Sequence, residues 1–292
     1  MHTAEPLPRR LLVTGAGGAV GSAVARAAAM RGVSVVGLDR AWNHDAPLER
    51  RITGDASDPV TVGAALLHCD AVAHLAAIPS PHHADARTVH RTNTVSTFTV
   101  LSLAGEAGVR RAAIASSISA FGVPFNHRRP FPARYPIDES LPPALDDAYS
   151  LSKAQDELTA QMAASRWDMS VTALRLPHTG DASLFDRLLT RNTTNPDAAV
   201  REGWGYLHED DAATAFLSAL APRTPGAEVV LVAAEHTLVP WPTEAALRRW
   251  APGVPIARRL YGRESAIDTR RAHELFGIRA TYQHPVRELP MP

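Results

Sequence analysis

The segment Leu11–Gly21, LLVTGAGGAVG, decides the fold class. Leu11–Thr14 is a short apolar run typical of a buried β-strand, and Ala19–Arg31 carries apolar residues at helical spacing. Between them, glycine recurs every third residue, at Gly15, Gly18 and Gly21. Such a turn lets an anionic ligand come close to the free N–H groups at the start of the helix. The segment therefore predicts the strand, turn and helix that begin a dinucleotide-binding domain.

The strand that follows this helix ends on a carboxylate. Ser34–Leu38 has a strand pattern, and Asp39 comes directly after it. At that place in a parallel fold, a carboxylate can accept hydrogen bonds from both hydroxyls of an adenosine ribose and repels a 2′-phosphate. This predicts NAD as the cofactor, with two alternatives left open. Arg40 beside the carboxylate could hold a 2′-phosphate and admit NADP, or Asp39 could serve only as a turn cap.

Strand and helix patterns alternate along the rest of the first 175 residues. The strand candidates are Ala71–Leu75, Ala112–Ser116 and Val171–Leu174, and the helix candidates are Pro59–Leu67, Ala84–Ala107 and Ala148–Ser165. Alternation at these lengths predicts right-handed βαβ units, and so an α/β fold with a Rossmann-type doubly wound parallel sheet. We expect residues 1–175 to form an NAD-binding domain that also carries the catalytic residues.

The pattern loosens beyond residue 175, where prolines are frequent. The elements predicted there are a strand at Val229–Val232 and helices at Ser183–Thr190, Ala212–Leu220 and Thr243–Trp250. We expect residues 176–292 to form a smaller, partly interleaved substrate-binding region that caps the cofactor. The proline-punctuated stretch Gly122–Asp147 has no clear period and is predicted to be a long surface loop beside the active site.

Composition narrows the classes of partner. The 292 residues include 30 basic and 30 acidic side chains, a balance that favours neither nucleic acid nor an anionic membrane as a partner. Cys69 is the only cysteine, so no intrachain disulfide can form and a reducing compartment is expected. No apolar run reaches the roughly 18 residues that span a bilayer, and the polar stretch Met1–Arg10 lacks the apolar segment of a signal peptide. We therefore expect a cytoplasmic protein with a small-molecule substrate.

A tyrosine and the only lysine of the chain lie four residues apart. Among the 30 basic residues, Lys153 is the single lysine. Tyr149 precedes it by about one helical turn, so the two side chains share a face of the predicted helix. A phenol is too weak an acid to serve as a base at neutral pH, and a nearby ammonium stabilises its phenolate. A compact ammonium suits this role better than a guanidinium, which predicts Tyr149 and Lys153 as a proton-transfer pair.

Several motifs follow one another in the order found in a known protein family. After the glycine turn and Asp39 come GDASD at 54–58, HLAA at 74–77, Asn93, SSISAFG at 116–122, YSLSK at 149–153 and YLHEDD at 206–211. Over roughly residues 10–275, they resemble the extended branch of the short-chain dehydrogenase/reductase superfamily, the NAD-dependent epimerase/dehydratase family. The resemblance implies an NAD-dependent enzyme on a Rossmann-type fold.

The resemblance assigns roles to individual residues. It implies that Ser117 polarises the substrate oxygen while Tyr149 transfers a proton and Lys153 supports it. Ser116 is the alternative hydroxyl, because adjacent serines leave the register uncertain by one residue. The residues implied to contact NAD are Gly15, Gly18, Ala19, Val20, Gly21, Asp39, Arg40, Asp55, Ala56, Leu75, Ala76, Ala77, Asn93, Tyr149, Lys153 and Pro177.

The substrate end departs from the nucleotide-sugar enzymes of that family. RLPH at 175–178 places His178 where those enzymes carry an asparagine, and Thr179–Asp181 replaces the aromatic-glycine-proline that usually follows. We therefore expect a small sugar-like or polyhydroxylated alcohol or carbonyl compound as substrate. Its predicted contacts are Ser80, Ser119, His178 and Arg201. The arginines at 187, 191 and 201 favour a nucleotide sugar instead, since a cap could use them to bind a diphosphate.

Competing functions share these residues. A dehydrogenase or reductase exchanges NAD in each turnover, whereas an epimerase retains NAD and oxidises and re-reduces one carbon. A sugar 4,6-dehydratase is disfavoured, because Ile118 and Ser119 stand where those enzymes carry an Asp-Glu pair. A non-catalytic NAD sensor is disfavoured, because such proteins commonly lack the tyrosine or the lysine that this chain keeps.

Two further expectations concern metals and assembly. The pair His82–His83 near Asp85 lacks further ligands, so we predict a solvated loop and no metal site. The family resemblance implies a homodimer built from the two long helices, Ala84–Ala107 and Ala148–Ser165. The first of them offers apolar residues that could serve the interface or the core, namely Val89, Val95, Phe98, Leu101 and Leu103.

Overall fold

The computed structural model describes residues 7–221 and 223–292. The strands are β1 (Arg10–Thr14), β2 (Ser34–Asp39), β3 (Arg50–Thr53), β4 (Ala71–His74), β5 (Arg111–Ser117), β6 (Ser170–Leu176), β7 (His178–Gly180), β8 (Tyr206–His208) and β9 (Gly226–Leu231). The α-helices are α1 (Ala19–Met30), α2 (Pro59–Leu66), α3 (Ala86–Glu106), α4 (Ala148–Trp167), α5 (Ala182–Thr194), α6 (Glu209–Ala219), α7 (Thr243–Trp250) and α8 (Arg270–Phe276). Short 3₁₀ helices cover Ile118–Phe121, Pro196–Ala198 and Val200–Glu202.

Seven strands form one parallel sheet in the order β3-β2-β1-β4-β5-β6-β9. In this sheet, Leu12 of β1 pairs with Val36 of β2 on one side and with Val72 of β4 on the other. The chain reverses its direction of travel across the sheet between β1 and β4, and this is where ligands bind in doubly wound folds. The predicted Rossmann-type α/β fold is confirmed. β7 and β8 form a separate two-stranded parallel sheet.

Helices cover both faces of the large sheet. On one face, α1 and α6 pack against each other over a core that includes Val13, Val24 and Phe216. On the other face, α3 and α4 pack together over a core that includes Leu101 and Ile114. Burying a large aliphatic side chain of this kind stabilises the fold by about 1.5–3 kcal/mol. The two cores hold the sheet rigid, and with it the loops at the carboxyl ends of the strands.

The stretch 122–147 has no helix or strand, as the sequence predicts, but part of it is deeply buried. Tyr135 and Ile137 are fully buried and form isolated bridges to Ile256 and Ile267. The Tyr135 hydroxyl also donates to the carbonyl oxygen of Val200 at 2.6 Å. The prediction of a surface loop is therefore wrong for these residues, because their apolar side chains anchor the loop to a third core that also includes Val200, Trp204 and Ile267.

Residues beyond 175 contribute to the main sheet as well as to the layer above it. β9 extends the sheet beside β6, and α6 packs on α1. Within residues 7–221 and 223–292, none of the helices combines the length and apolar character that a bilayer crossing requires.

Candidate active site

A cavity of about 910 Å³ lies at the carboxyl ends of the central strands and is lined by most of the predicted site residues. Those residues are Gly15, Gly18, Ala19, Val20, Gly21, Asp39, Arg40, Asp55, Ala56, Leu75, Ala76, Ala77, Ser80, Ser117, Ser119, Tyr149, Lys153, Pro177 and His178. The volume is within the range of about 300–1,000 Å³ that small-molecule sites occupy. The sheet topology thus brings together residues that are up to 163 positions apart in the chain, Gly15 and His178 being the extremes.

The glycine turn is closed by contacts that exclude larger side chains. Gly15 has a φ of +72°, and a Cβ atom there would lie 2.8 Å from the backbone nitrogen of Ala76. A Cβ atom on Gly21 would lie 2.0 Å from the carbonyl oxygen of Gly15. The N-cap of α1 is Gly18, which has no side chain to bond the first N–H groups of the helix. These groups remain available to an anion at the cavity wall.

Asp39 braces this turn from the end of β2. Its Oδ2 accepts a hydrogen bond from Gly17 N at 2.9 Å, and its Oδ1 accepts one from Ala41 N at 3.2 Å. Gly17 also has no room for a side chain, since a Cβ atom would lie 2.1 Å from the Ala41 carbonyl oxygen. The turn-bracing and ribose-binding interpretations of Asp39 are compatible, because each carboxylate oxygen can accept more than one hydrogen bond. Arg40, which also lines the cavity, lies next to Asp55, with 3.6 Å between Nη1 and Oδ2.

The two adjacent serines at the end of β5 have different partners. Ser116 Oγ donates to Glu157 Oε1 at 2.6 Å, and Arg175 holds the same carboxylate through two bonds of 2.8 Å. Ser117 Oγ accepts from Ser119 N at 3.0 Å, so its own proton can be donated to a bound oxygen. These contacts favour Ser117 over Ser116 as the hydroxyl that meets a substrate.

Tyr149 lies in the first turn of α4, where the helix is fixed by its cap. Asp147 is the N-cap residue and accepts a hydrogen bond from Ser150 N at 2.8 Å. The Tyr149 side chain is buried, and its ring meets Phe125 edge-on with 5.9 Å between centroids. The cap and the ring contact together set the direction in which the phenol enters the cavity.

Lys153, one turn further along α4, is buried and held by two oxygen atoms. Its Nζ donates to the carbonyl oxygen of Ala115 at 2.8 Å and to Asp156 Oδ2 at 3.1 Å. Burial alone would lower the pKa of Lys153, but the neighbouring charges, Asp156 foremost, outweigh burial and raise it above its ordinary value. The ammonium therefore stays charged at neutral pH.

Asn93 is a predicted cofactor residue that does not line the cavity. It is fully buried on α3, where its Nδ2 donates to the carbonyl oxygen of Ile78 and to Ser152 Oγ, each at 3.1 Å. Its Oδ1 accepts from Ile78 N at 2.8 Å. Asn93 thus ties the loop after β4 to α4 beside Lys153, and the structure places it behind the site.

Arg201 is a predicted substrate residue that also lies outside the cavity wall. Its guanidinium stacks on the Phe131 ring at 4.5 Å from the centroid. It donates to the carbonyl oxygen of Arg129 at 2.9 Å and to that of Asp197 at 3.1 Å. Because these partners already engage the guanidinium, the structure gives Arg201 a role in holding the loop rather than the substrate.

An ion-paired cluster closes the substrate end of the cavity. His178 Nε2 lies 3.0 Å from Glu202 Oε1, and Arg191 Nη2 lies 3.7 Å from the same oxygen. The Glu202 charge raises the pKa of His178. Burial acts to raise the pKa of Glu202, but His178 and Arg191 hold it below its ordinary value. The sequence does not single out Glu202, since no local motif marks a carboxylate that meets its partner only through the fold.

Replacement of Glu202 with glutamine is expected to lower the pH at which His178 loses its proton. In the unmodified protein, the pKa of His178 is higher in the folded than in the unfolded state. The pair with Glu202 therefore contributes to folding stability below about pH 6.5, and this contribution is lost as the pH rises through the folded-state pKa of His178. The pKa of Glu202 is lower in the folded than in the unfolded state. Its contribution to folding stability is therefore present above about pH 4.5 and is lost as the pH falls through the folded-state pKa of Glu202. NMR titration of the His178 ring, assigned with His178→Gln, measures the shift. Glu209→Gln is the control, and an unchanged midpoint in Glu202→Gln contradicts the pairing.

The histidine pair after β4 is exposed to solvent, as the sequence predicts, and it also contributes to the wall of the cavity. His82 and His83 both line it, and the His82 ring meets Phe125 edge-on at 5.6 Å. In the part of the chain that the structure describes, no three His, Cys, Asp or Glu side chains are grouped to hold a metal ion.

Comparison with known sequences decides the family. The sequence model of the NAD dependent epimerase/dehydratase family matches residues 11–233. The chain belongs to this family. A search of curated protein sequences gives no significant match.

Solved structures of epimerase/dehydratase type share the fold. MoeE5 in complex with UDP-glucuronic acid and NAD is 24% identical, with a TM-score of 0.69 over 94% of both chains. A short-chain dehydrogenase/reductase superfamily protein from Agrobacterium tumefaciens with bound NAD is 22% identical, with a TM-score of 0.69 over 94% of this chain and 93% of that one. UDP-glucose 4-epimerase from Thermotoga maritima, solved with UDP-glucose, is 19% identical, with a TM-score of 0.68 over 94% of both chains.

The cavity fits the NAD on which this epimerase/dehydratase family depends. The uncapped start of α1 suits a pyrophosphate, and the Asp39 carboxylate suits the hydroxyls of the adenosine ribose. Lys153 and Tyr149 lie at the other end of the same cavity. When bound, NAD supplies a hydride acceptor, and NADH a hydride donor.

We expect this family member to bind NAD more tightly than NADP. Asp39 lines the cavity where a 2′-phosphate would have to lie, whereas Arg40 is drawn toward Asp55. Calorimetric titration of both cofactors measures the preference, with Asp39→Asn as the variant that should narrow it. NADP binding as tight as NAD binding to the unmodified chain would show that Arg40 governs the pocket.

Proposed function

We propose that the chain catalyses NAD-dependent oxidation or reduction at a hydroxyl or carbonyl group of a small sugar-like, polyhydroxylated substrate. Tyr149 is the proposed acid and base. The observation that carries the proposal is that Ser117, Tyr149 and Lys153 line the same cavity as the glycine turn and Asp39. A redox reaction on an alcohol needs a hydride acceptor and a proton acceptor side by side, and one cavity that holds both sets of residues can supply them.

Each of the three residues has a task that its contacts support. Ser117 donates its free proton to the substrate oxygen and orients it, since its Oγ is already fixed by Ser119 N. Tyr149 exchanges a proton with that oxygen. The charged Lys153 stabilises the phenolate that forms when Tyr149 gives up its proton. A general acid or base placed in this way contributes about 10²–10⁴-fold to the rate.

The substrate end of the cavity suits a ligand rich in hydroxyl groups. Ser80, Ser119, Thr179 and His178 line it, and side chains of these types can exchange hydrogen bonds with hydroxyl groups. Of the three arginines considered as a diphosphate clamp, Arg191 lines the cavity. The other two are engaged elsewhere, Arg187 with Ser183 and Arg201 with Phe131. A free sugar, sugar acid or lactone therefore fits better than a nucleotide sugar.

The proposal gives the two regions of the chain different tasks. Residues 1–175 carry the cofactor-binding turn and the catalytic residues, while residues 176–292 supply His178, Arg191 and Glu202 at the substrate end. We also propose a cytoplasmic location, supported by the single cysteine, which leaves no disulfide to form within the chain.

An epimerase that retains its NAD is the second candidate. The family to which the chain belongs includes epimerases by name. Two of the similar structures hold UDP-linked ligands, UDP-glucuronic acid in MoeE5 and UDP-glucose in the Thermotoga maritima epimerase. Arg191 provides one cation at the substrate end that such a ligand could use.

A substrate panel separates the two candidates. Free sugars, sugar acids, polyols and lactones are mixed with NAD or NADH, and absorbance of NADH is followed. The dehydrogenase proposal expects net NADH formation or consumption with a member of this panel, and release of NAD from the protein on gel filtration. Micromolar binding of UDP, dTDP or GDP outside the NAD site, together with NAD that stays bound on gel filtration, would overturn it in favour of the epimerase.

The proposed assembly is a homodimer, with an apolar patch on α3 and α4 as its interface. The patch consists of Val95 and Phe98 on α3 and Leu151 and Leu158 on α4, which are 42%, 54%, 38% and 61% exposed. Of the other apolar residues considered for this role, Val89 and Leu101 are fully buried and Leu103 packs partly on the core. Exposed apolar residues on two neighbouring helices are typical of a surface that pairs with a copy of itself.

Light scattering at micromolar concentration is expected to give twice the mass of one chain. A Phe98→Glu, Leu158→Glu double variant should give a monomer, because it places charges in the centre of the patch. Met30→Glu is the control, since Met30 is 79% exposed on α1, away from α3 and α4. A monomer in the unmodified chain would refute the dimer.

A further inference from the structure

We propose that Asp156 is a positioning residue that holds Lys153 and keeps Tyr149 in its phenol form to a higher pH than Lys153 alone would allow. The proposal rests on the proposed roles of Tyr149 and Lys153. Asp156 is 1% exposed, and its Oδ2 accepts a hydrogen bond from Lys153 Nζ at 3.1 Å. A carboxylate this deeply buried is costly unless it is paired, and none of the catalytic tasks assigned above uses it.

A directed chain of hydrogen bonds runs from the cofactor turn to Thr97 on α3, a neighbour of Asp156. Thr14 Oγ1 accepts from the N–H groups of Leu75 and Ala76, at 3.2 and 3.3 Å. Its own proton therefore goes to His74 Nδ1, 2.7 Å away. His74 must then carry its proton on Nε2, which lies 3.1 Å from Thr97 Oγ1. The tautomer of His74 follows from its partners.

Thr97 completes this chain without adding charge. Its hydroxyl donates to the carbonyl oxygen of Asn93 at 3.1 Å. Burial, assisted by the charge of Lys153, lowers the pKa of His74 to about 3, so the imidazole is neutral. Thr97 on α3 and His74 on β4 are therefore both uncharged, and Thr97 acts to lower the pKa of Asp156.

The other charged groups near Lys153 leave Asp156 as its main counter-charge. Glu157, also on α4, is held by the guanidinium of Arg175 from β6 through two bonds of 2.8 Å. His82 approaches from the loop after β4, but it meets Phe125, whose ring lies between it and Tyr149. Burial raises the pKa of Asp156, while Lys153 and Thr97 oppose that rise. The ammonium of Lys153, 3.1 Å away, stabilises the ionised form of this carboxyl.

A negative charge at this place opposes proton loss from Tyr149. The ammonium of Lys153 stabilises the phenolate, and the carboxylate of Asp156 offsets part of that effect. Proton loss from either member of a coupled pair is disfavoured by a nearby anion, whichever member loses it first. Tyr149 therefore rests in its phenol form, which can donate a proton, over a wider range of pH.

Titration of the Tyr149 phenolate in the cofactor-free full chain tests this directly. Near-ultraviolet absorbance is measured against pH, and the same titration of Tyr149→Phe is subtracted. The other four tyrosines are present in both proteins, so their absorbance changes cancel in the difference. Asp156→Asn is expected to lower the midpoint by roughly one pH unit, the order expected for a unit charge about 10 Å away, two helical turns along α4, at an effective dielectric constant of about 20.

Matched variants separate charge from shape. Asp156→Ser, a second neutral variant, should lower the midpoint as Asp156→Asn does, while Asp156→Glu should leave it near that of the unmodified chain. Asp211→Asn is the control, because Asp211 is a buried carboxylate bound by Thr281 and Tyr282, away from α4.

The outcomes that overturn the inference are distinct from those that overturn the proposed function. A midpoint that is unchanged or higher in the neutral variants overturns the inference, and so does an equal fall in Asp156→Glu, since shape would then be the cause. The titration needs neither substrate nor turnover. Full activity in Tyr149→Phe would instead overturn the proposed function, whatever the midpoint of the unmodified chain.

Discussion

Replacement of Tyr149 with phenylalanine is expected to reduce turnover by about 10²–10⁴-fold. The substitution removes the oxygen that exchanges a proton with the substrate but keeps the ring that packs edge-on against Phe125. The glycine turn and Asp39 are untouched, so NAD binding should remain nearly unchanged. Steady-state turnover and calorimetric titration of NAD measure the two effects separately.

Tyr261→Phe is the matched control for this prediction. Tyr261 is 68% exposed and lies outside the candidate active-site cavity, so its hydroxyl should be dispensable. Turnover within about tenfold of the unmodified protein in Tyr149→Phe is far above the range expected for loss of a general acid. That result would remove Tyr149 from the proposed chemistry.

Lys153→Arg is expected to be as severe, although it keeps the positive charge. The Lys153 ammonium lies between the carbonyl oxygen of Ala115 and the carboxylate of Asp156 in a buried position. A planar guanidinium is larger and cannot take up the same two contacts, and overpacking of this kind costs about 1–3 kcal/mol of folding stability. Turnover and the denaturant midpoint should both fall.

The control for Lys153→Arg is the reverse exchange of cations at another position of α4. Arg166→Lys, at an exposed position on the same helix, tests whether exchange of the two cations matters in general. It should leave turnover and stability unchanged. Near-normal turnover in Lys153→Arg would contradict the explanation that position 153 requires an ammonium.

The residues at the cofactor end of the site could be predicted from the sequence, because each of their motifs lies within a short stretch of the chain. The glycine turn, the strand before it and Asp39 at the end of β2 all follow from spacing along a short stretch of chain. The same holds for Tyr149 and Lys153, whose separation of one helical turn places them on one face of α4. The parallel sheet then brings these segments to one edge, as strand-helix alternation predicts.

Elements with weak local patterns were missed. β3 is an edge strand whose first two residues, Arg50 and Arg51, are exposed, so it lacks the apolar run of a buried strand. β7 and β8 have three residues each and pair only with one another, too short for any period to show. α8 begins with two arginines and spans seven residues, with one of them buried.

The sequence analysis also did not predict side-chain pairs whose contact depends on tertiary structure. Glu202 reaches His178 from a 3₁₀ turn, and Asp156 is recognisable as the partner of Lys153 only once both are seen to be buried. Asn93 and Arg201 were predicted to line the site, but the structure places them outside the cavity wall. The contacts that hold them there, to Ile78 and to Phe131, come from segments that carry no motif. Such pairings depend on tertiary packing, which a single sequence does not encode in any local pattern.

A crystal structure of the protein with bound NAD tests the central claim most directly. The account predicts the pyrophosphate at the start of α1, the adenosine ribose hydroxyls on the Asp39 carboxylate, and the nicotinamide ribose within hydrogen-bond distance of Lys153 and Tyr149. NAD bound outside this cavity, or a nicotinamide ring directed away from Tyr149 and Ser117, would contradict it.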